Sequence, residues 1–456
     1  MRRTLCDFAA ACGGRLVGAD RTYAGVSTDT RTIGPGELFI ALRGPRFNGN
    51  EFLAAAQAAG AVGAVVDGEQ ALSIAQIVVP DTQVALARAA QAWRRDFPHP
   101  VIGVAGSNGK TTVKEMIAAI LSQGGPCLAT RGNLNNHIGV PLTLLRLEPE
   151  HRFAVIEMGA NRAGDVAGLV AIARPDVGLI TNAGAEHLEG FGSLEGVARA
   201  EGEMVAGLEP AAVAVINADD PFAPLWRQMT RASVLSFGLA VDADFRAADL
   251  HSEVTARGFV TRFMLVSPAG RIAIELALAG RHNVANALAA AAAASAAGAT
   301  PAQLAAGLAT MRAVPGRLQL KLAQAGAWII DDSYNANPSS VQAGLEVLVG
   351  LGGRRWLVLG DMAELGSFAE SSHAEVGRAA RAGGVERLLA TGPLAALAAE
   401  AFGSGGEWYP DVQALTRALE ISLAPDVRVL VKGSRVNRLE RLVEALTVTT
   451  PERGVC

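Results

Sequence analysis

One segment decides the fold of this chain, and it reads Val101-Ile102-Gly103-Val104-Ala105-Gly106-Ser107-Asn108-Gly109-Lys110-Thr111-Thr112. Its opening residues are mostly apolar and predict a buried strand. After the glycine-rich turn, apolar residues recur at helical spacing, at Val113, Met116, Ile117, Ile120 and Leu121. A strand, a glycine-rich turn and a helix in this order predict a phosphate-binding loop, because backbone N–H groups and the helix N-terminus attract an anion.

Lys110 and Thr111 give this loop its chemistry. A lysine at this place reaches the β- and γ-phosphates of a nucleotide, and the hydroxyl after it binds Mg²⁺. The strict pattern G-x-x-x-x-G-K-[ST] has a glycine where this chain has Val104, and Gly103 stands one place early. A glycine-rich turn with an incidental lysine is the alternative, but a strand and a helix flank the turn correctly. We therefore predict a nucleotide site formed by Gly106, Ser107, Asn108, Gly109, Lys110, Thr111 and Thr112.

Further apolar runs alternate with helical stretches along the chain. Runs that are apolar on both faces are typical of parallel strands buried between layers of helices. Such strands are predicted at Phe153–Ile156, Val177–Thr181, Ala212–Ile216, Trp328–Ile330, Trp356–Leu359 and Val427–Val431. Ligands of open α/β sheets bind at the carboxyl ends of the strands. The residues that end these runs are therefore candidates for a binding site.

Two proline-containing breaks divide the chain. Phe97-Pro98-His99-Pro100 precedes the strand that leads into the phosphate loop. Val314-Pro315-Gly316 follows a pair of alanine-rich helices. A length of 456 residues favours about three domains. We predict an α/β fold with domains at 1–98, 99–313 and 314–456, in which the central domain has a parallel sheet around the phosphate loop.

Composition excludes several other classes of protein. The net charge of -4 and the pI of about 6.0 indicate no basic face, so nucleic acid is not an expected partner. The four cysteines form no paired metal or disulfide motif. Asp7 interrupts the N-terminus before an apolar signal segment forms. Ala285–Ala309 is the one stretch long enough to suggest a membrane span, but its polar residues and Pro301 favour two soluble helices. We expect a cytoplasmic protein that does not bind membranes.

Three single residues at or after strand ends are candidates for contacting a nucleotide or its metal ion. Glu157 suits a Mg²⁺ ligand, and a helix-capping or solvated glutamate is the alternative. His187 follows the strand that ends at Thr181, although a lone histidine is more often structural. Asp331 would hold ribose hydroxyls, or it would serve the turn that follows.

Segments spread over the whole chain resemble those of the Mur ligase family. Besides the phosphate loop, they include Ser27-Thr28-Asp29-Thr30-Arg31, Asn133-Leu134-Asn135-Asn136-His137, Glu157-Met158-Gly159-Ala160-Asn161, Gly280-Arg281-His282-Asn283, Pro315-Gly316-Arg317 and Lys432-Gly433-Ser434-Arg435. Two strings are typical of the members that add D-alanyl-D-alanine to the UDP-linked muramoyl tripeptide. They are Ser333-Tyr334-Asn335-Ala336-Asn337-Pro338 and Gly360-Asp361-Met362-Ala363-Glu364-Leu365-Gly366.

The resemblance implies an ATP-dependent, amide-bond-forming ligase of peptidoglycan synthesis, and through it a role in cell-wall biogenesis, cell shape and cell division. Its substrates would be UDP-N-acetylmuramoyl-tripeptide and D-alanyl-D-alanine, and the enzyme would be a monomer. The first domain would bind the UDP-sugar, the central domain would bind ATP, and a C-terminal Rossmann-like domain would close over the ATP.

The same resemblance implies roles for single residues. Lys110 and Thr111 would hold ATP and Mg²⁺, with Glu157 and His187 as metal ligands. The other expected contacts are adenine and phosphate at Asn283 and Arg317, ribose at Asp331, the muramoyl peptide at Asn133, Asn135 and Asn136, and the uridine nucleotide at Ser27, Thr28 and Arg31. The alternatives are another Mur-type amino acid ligase, a folylpolyglutamate synthase-like ligase, or a phosphate-loop ATPase or GTPase switch. A switch protein would not need the third domain.

Glu201 departs from the family pattern. Many Mur ligases carry a lysine in the matching Ala-Lys-Gly-Glu string, and CO₂ converts that lysine into a carbamate near the second Mg²⁺. This chain has Ala200-Glu201-Gly202-Glu203 instead. If 194–208 is a helix, the helical neighbours of Glu201 are all apolar, so its side chain points inward. We expect Glu201 to supply the negative charge that relatives obtain by modification, and an ordinary solvated glutamate is the alternative.

Overall fold

The computed structural model describes residues 3–45, 47–185, 188–240, 242–255 and 258–448. Within these ranges, three large sheets follow one another along the chain, and helices pack on their faces. The expected α/β fold with parallel sheets is confirmed. The domain boundaries after residues 98 and 313 fall between the sheets and remain proposals.

The N-terminal region holds the first sheet. Its elements are α1 (Leu5–Cys12), β1 (Arg15–Val17), β2 (Val26–Ser27), β3 (Leu38–Ile40), β4 (Arg43–Gly44), β5 (Phe47–Asn48), α2 (Leu53–Ala58), β6 (Gly63–Val66), β7 (Ala75–Val78) and α3 (Thr82–Arg95). The sheet has the order β1-β7-β6-β3-β2, and β1 is its antiparallel edge strand. The strands β4 and β5 form a separate hairpin.

The central region holds the largest sheet of the described chain. Its elements are β8 (Val101–Ala105), α4 (Lys110–Leu121), β9 (Cys127–Ala129), α5 (Gly139–Leu144), β10 (Phe153–Glu157), α6 (Asp165–Ala173), β11 (Val177–Ile180), α7 (Leu188–Phe191), α8 (Leu194–Ala206), β12 (Val213–Asn217), α9 (Ala223–Met229), β13 (Ser233–Gly238), β14 (Phe245–Thr255), β15 (Gly258–Ser267), β16 (Gly270–Leu276), α10 (Arg281–Ala296) and α11 (Pro301–Thr310). The strand order is β16-β15-β14-β13-β12-β11-β8-β10-β9. Because β8 pairs in parallel with both β10 and β11, the phosphate loop leaves the middle of the sheet beside the ends of its neighbours.

The helix after the phosphate loop packs through the predicted apolar stripe. Val113, Met116, Ile117 and Ile120 are fully buried. The alanines of α10 cover this stripe, and their small side chains let the two helices approach closely. The alanine-rich stretch forms α10 and α11 with a break at 297–300, as predicted. Among the described helices, none combines the length and the apolarity that a bilayer span requires.

The C-terminal region holds the third sheet. Its elements are β17 (Gln319–Leu322), β18 (Trp328–Asp332), α12 (Pro338–Val349), β19 (Arg354–Gly360), α13 (Ala369–Ala382), β20 (Arg387–Thr391), α14 (Ala395–Phe402), β21 (Gly406–Tyr409), α15 (Val412–Glu420), β22 (Val427–Lys432) and α16 (Glu440–Leu446). Short 3₁₀ turns occur in this region at Gly366–Phe368 and Arg435–Asn437, and in the N-terminal region at Gly49–Phe52. The order is β17-β18-β22-β19-β20-β21, parallel except for β17. The ends of β18 and β22 therefore lie side by side.

Candidate active site

A cavity of about 630 Å³ lies at the carboxyl ends of the central strands, and the C-terminal region forms its opposite wall. The central region contributes the phosphate loop and, among others, Asn133, Asn135, Glu157, Asn182 and Asn283. The C-terminal region contributes Arg317, Asp332, Tyr334, Asn337, Lys432 and their neighbours. This is the edge at which parallel α/β sheets bind ligands.

The phosphate loop is held in shape by its own hydrogen bonds. Gly106 and Gly109 have φ angles of +119° and +87°, in the region that favours glycine. The N–H groups of Ser107 and Asn108 donate to the backbone and side-chain oxygens of Asn182, at 2.9 and 3.0 Å. The N–H group of Gly106 donates to Glu201 Oε2 at 2.7 Å. The first three N–H groups of the loop are thus already used.

The start of α4 offers the remaining donors. Within the described residues, the N–H groups of Gly109, Thr111 and Thr112 have no hydrogen-bond partner. They belong to the first turn of a helix, where N–H groups carry the positive end of the helix dipole. An anion at this turn would meet these N–H groups first.

Lys110 lies folded over the loop. Its Nζ donates to the backbone oxygens of Gly106 and Ser107, the latter at 3.0 Å. The ammonium is therefore held against the backbone of the loop, at the floor of the cavity. A phosphate group at the N-terminus of α4 would lie beside it.

Glu157 stands at the end of β10 and is 2% exposed. Its N–H donates to Thr130 Oγ1 at 3.0 Å, and its Oε1 accepts from Asn135 Nδ2 at 2.9 Å. Its other oxygen, Oε2, is buried and has no hydrogen-bond partner among the described residues. A buried carboxylate oxygen is costly without compensation, so a cation is the natural partner for Oε2.

His187 lies outside the described residues. Within those that are described, no group of three or more histidine, cysteine, aspartate or glutamate side chains converges on a point. Thr111, the expected hydroxyl ligand, is on the first turn of α4 and lines the same cavity as Glu157.

The three asparagines of the loop between β9 and α5 differ in what they face. Asn133 and Asn135 line the cavity. Asn136 does not line it, and its Oδ1 accepts from the N–H groups of Ile138 and Gly139 at 3.1 and 2.9 Å. Asn136 therefore shapes the turn into α5, whereas the other two asparagines face the ligand space.

Glu201 points inward from α8, as its apolar neighbours predict. It is 2% exposed, and its Oε2 accepts from the N–H of Gly106 at 2.7 Å. A carboxylate in this place fixes the first residue of the phosphate loop and brings negative charge directly beneath the loop.

Asn283 and Arg317 reach the cavity from opposite sides. Asn283 is 7% exposed at the start of α10, and its Nδ2 donates to Ala279 O at 2.7 Å. Arg317 comes from the C-terminal region, where its guanidinium stacks 4.5 Å from the ring centre of Tyr334. Its Nη2 also lies 3.4 Å from Thr111 Oγ1, across the cavity. Arg317 thus links the C-terminal region to the helix that follows the phosphate loop.

Asp332, rather than Asp331, lines the cavity. Asp331 binds Lys321 through Oδ2 at 2.7 Å and the Ser333 hydroxyl through Oδ1 at 2.6 Å. Successive side chains of a strand point to opposite faces, so only one of the two aspartates can face the ligand. Asp332 therefore faces the ligand space, whereas Asp331, the expected residue, does not line the cavity.

Lys432 and His282 are cavity residues that we did not single out from the sequence. Lys432 Nζ binds Asp332 Oδ2 and donates to Asn335 O at 3.0 Å. Burial raises the pKa of Asp332, against the opposing effect of Lys432. Burial, with Lys432 nearby, lowers the pKa of His282 to about 4, so its imidazole is neutral at pH 7. The usable signal was the position of Lys432 at a strand end.

Asn108 joins the phosphate loop to the C-terminal region. Its Oδ1 accepts from Asn337 Nδ2 at 2.9 Å, and its Nδ2 donates to Ser339 Oγ at 3.1 Å. Asn337 also caps α12, because its Oδ1 accepts from the N–H of Ser340 at 2.8 Å. The phosphate loop and the start of α12 are therefore in direct contact.

The residues expected to contact uridine lie elsewhere, at the end of β2 and on the turn that follows it. Ser27, Thr28 and Arg31 are not among the residues that line the cavity. Arg31 is largely exposed and pairs with Asp29 at 2.6 Å, and this pairing lowers the pKa of Asp29 to about 2. These residues form a separate N-terminal surface.

Comparisons with known proteins agree along the whole chain. Models of the Mur ligase middle domain, the Mur ligase glutamate ligase domain and the Mur ligase family catalytic domain match residues 104–294, 316–435 and 22–121. The chain is 45% identical to the UDP-N-acetylmuramoyl-tripeptide–D-alanyl-D-alanine ligase of Escherichia coli (strain K12), over 99% of each protein. The chain belongs to the Mur ligase family.

Solved structures of Mur ligases share the fold. MurF from Acinetobacter baumannii superposes with a TM-score of 0.90 at 33% identity, over 98% of this chain and 99% of that one. MurF from Thermotoga maritima, solved in complex with ADP, has a TM-score of 0.82 at 28% identity, over 92% and 96%. The Mur ligase matches include both walls of the cavity, since Glu157 and Asn283 fall in one matched segment and Arg317 and Lys432 in another.

Proposed function

We propose that this Mur ligase joins D-alanyl-D-alanine to UDP-N-acetylmuramoyl-tripeptide, at the expense of ATP, in peptidoglycan precursor synthesis. The observation that carries the proposal is the shared cavity, in which the phosphate loop, the asparagines before α5 and the C-terminal Arg317 face one space. The full-length similarity to the Escherichia coli ligase supports the choice of substrates. We also propose a cytoplasmic location, because ATP and the UDP-linked precursor are cytoplasmic substrates. We propose a monomer, because both described walls of the cavity come from one chain.

The nucleotide would bind with its phosphates at the N-terminus of α4. The N–H groups of Gly109, Thr111 and Thr112 and the ammonium of Lys110 are the donors that support this. Gly106, Ser107 and Asn108 would shape the loop rather than donate their N–H groups. Asn283 would contact adenine, Arg317 would contact phosphate, and the ribose would lie near the ends of β18 and β22, where Asp332 is better placed than Asp331.

A magnesium ion fits the residues that are present. Glu157 Oε2, which has no hydrogen-bond partner among the residues that the structure describes, and the hydroxyl of Thr111 are oxygen donors on one cavity wall. Mg²⁺ is usually held by one or two carboxylates together with substrate phosphates, so a large protein cluster is not needed. We propose Thr111, Glu157 and His187 as its protein ligands, and the ion would neutralise the charge on the phosphates.

The chemistry requires an activated carboxyl group. A carboxylate does not react with an amine at neutral pH, because oxide is a poor leaving group. Transfer of the γ-phosphoryl group from ATP to the tripeptide carboxylate releases ADP and gives an acyl phosphate. Attack by the neutral dipeptide amine then forms a tetrahedral intermediate, which loses a proton from nitrogen and expels inorganic phosphate. Lys110 and Arg317 offset the negative charge that grows in both steps. Closure of the C-terminal region over the cavity would exclude water, which would otherwise hydrolyse the acyl phosphate.

The sugar-nucleotide substrate would extend between two regions. Asn133 and Asn135 would contact the muramoyl peptide, while Asn136 would hold the turn that presents them. Ser27, Thr28 and Arg31 would meet the uridine end in the first domain. Arg31 would then exchange its contact with Asp29 for a contact with the substrate.

A coupled assay tests the proposed function. We expect release of inorganic phosphate from ATP only when UDP-tripeptide and D-alanyl-D-alanine are both present, with mass spectrometry showing the UDP-pentapeptide as product. D-alanine alone and L-alanyl-L-alanine serve as control acceptors. Phosphate release without any acceptor, or a product that carries a different amino acid, would contradict the proposal.

Glu201 would act as a built-in substitute for the modified lysine of many relatives. Its carboxylate already lies beneath the loop on the N–H of Gly106. Glutamate is shorter than a carbamylated lysine by on the order of 3–4 Å, so it would act on the metal region through a bridging water or on a shifted ion. Its charge needs no CO₂.

We predict that activity is independent of added bicarbonate and that Glu201→Gln raises the Mg²⁺ concentration needed for half-maximal rate by about tenfold. Glu203→Gln is the matched control, because Glu203 lies on the same helix but accepts from Gly164 and Ala167 on the outer side. Titrations of rate against Mg²⁺ measure the effect. An unchanged Mg²⁺ requirement in a folded Glu201→Gln protein would make this carboxylate merely structural.

A further inference from the structure

Lys114 is a buried cation that the proposed reaction does not use. It lies on α4, one turn after Lys110, and its residue exposure is 0%. Its ammonium pairs with Glu115, whose side chain is 43% exposed. Burying an ammonium costs several kcal/mol, and an apolar side chain of the same size would often serve stability equally well. The position of Lys114 is therefore best explained by what its ammonium contacts.

The second contact of Lys114 is the carbonyl oxygen of Thr130, at 2.7 Å from Nζ. Thr130 is 2% exposed and follows β9, where the asparagine-rich loop begins. Its N–H donates to Val155 O at 3.0 Å, and its hydroxyl accepts from the N–H of Glu157 at 3.0 Å. The ammonium of Lys114 thus holds a residue that is bonded to Glu157.

Asn135 connects the same loop to Glu157 and Gly159. Its Nδ2 donates to Glu157 Oε1 at 2.9 Å, and its backbone oxygen accepts from the N–H of Gly159 at 2.9 Å. The loop therefore starts at Thr130 and returns to the residues around Glu157. A shift at Thr130 would move both the carboxylate of Glu157 and the asparagines that face the cavity.

We propose that Lys114 is a positioning residue, which acts through Thr130 to set the carboxylate of Glu157 and the asparagine loop. This inference rests on the proposed function, in which Glu157 holds the metal ion and the loop meets the muramoyl peptide. The ammonium fixes one carbonyl at the start of the loop by a charge-assisted hydrogen bond. Residues that orient a metal ligand typically change affinity or activity by about 10- to 100-fold when they are replaced.

Lys114→Met removes the ammonium and keeps most of the buried side-chain volume. We expect a modest fall in the melting temperature, because Glu115 is partly exposed and stays solvated while the buried carbonyl oxygen of Thr130 loses a donor. We expect the affinity for UDP-tripeptide, measured by calorimetry without nucleotide or metal, to fall about tenfold, and the Mg²⁺ requirement of the reaction to rise about tenfold. The affinity for ADP without metal should stay within about twofold, because the N-terminus of α4 is untouched.

Two further variants distinguish the hydrogen bond between Lys114 and Thr130 from the ion pair between Lys114 and Glu115. Glu115→Gln leaves the bond from Lys114 to Thr130 in place and should have wild-type UDP-tripeptide affinity. Thr130→Val keeps the shape of the side chain but removes the oxygen that accepts from Glu157, and should raise the Mg²⁺ requirement as Lys114→Met does.

A folded Lys114→Met protein with wild-type peptide affinity and Mg²⁺ requirement would overturn the inference. It would also be overturned if Glu115→Gln reproduced the effects of Lys114→Met. If Lys114→Met does not fold, wild-type behaviour of Thr130→Val overturns it instead. Failure of the wild-type protein to form the UDP-pentapeptide would contradict the proposed function, which is a separate result.

Discussion

Replacement of Lys110 by methionine is expected to lower kcat by about 10²- to 10³-fold, which corresponds to about 3–4 kcal/mol of transition-state stabilisation. The ammonium lies on the oxygens of Gly106 and Ser107 and is held at the floor of the cavity. From there it would meet the γ-phosphoryl group of a bound ATP as negative charge spreads over the phosphoryl oxygens. Methionine has a similar length but no charge. Steady-state rates at saturating substrates measure the loss.

The arginine variant is an informative control for Lys110. Its guanidinium keeps the charge, but it is planar and larger than an ammonium, and it cannot occupy a point between two backbone oxygens. We expect Lys110→Arg to remain at least about tenfold below the wild-type rate. Both variants should show a normal thermal unfolding curve. A folded Lys110→Met enzyme within a few-fold of the wild-type rate would contradict the assignment of the phosphate loop.

The phosphate loop was predictable because its signal is local. A strand, two glycines in a turn and an amphipathic helix occupy adjacent positions in the sequence, so the pattern alone locates β8 and α4. The buried strands at 153–157, 328–332 and 427–432 were predictable for the same reason, since runs that are apolar on both faces have few other solutions. The inward direction of Glu201 followed from helical spacing.

Contacts between distant segments were not predictable in this way. The sequence places Asp331 and Asp332 at one strand end, but only the packing of β18 between β17 and β22 decides which aspartate faces the ligand. The bridge from Asn108 to Asn337 depends on how two regions meet, which no local pattern encodes. Lys114 resembles an ordinary helix lysine until the position of Thr130 is known.

Three sets of hydrogen bonds connect the phosphate loop to other parts of the protein. Glu201 fixes its first residue from below, Asn182 fixes the next two from the side, and Asn108 reaches the C-terminal region. A shift of the loop would disturb all three contacts, including the contact with the C-terminal region. These contacts hold the loop in its observed shape.

Glu157→Gln is expected to lower the rate by about 10²-fold and to raise the Mg²⁺ requirement in parallel. The amide keeps the shape of the side chain, and its oxygen can still accept the hydrogen bond from Asn135. It loses the anionic charge at Oε2, the buried oxygen that has no hydrogen-bond partner among the described residues.

Glutamine at 157 is also expected to leave the protein as stable as the wild type, or more stable, when the metal ion is withheld. A buried carboxylate without a cation costs free energy that an amide does not. Chelator should therefore lower the melting temperature of the wild-type protein with ADP bound, and it should have little effect on the variant. The opposite pattern, in which the variant melts earlier without metal and keeps the wild-type Mg²⁺ requirement, would show that Glu157 supports the fold and does not hold the ion. Melting curves with and without chelator, read beside the rates, separate these two roles of one carboxylate.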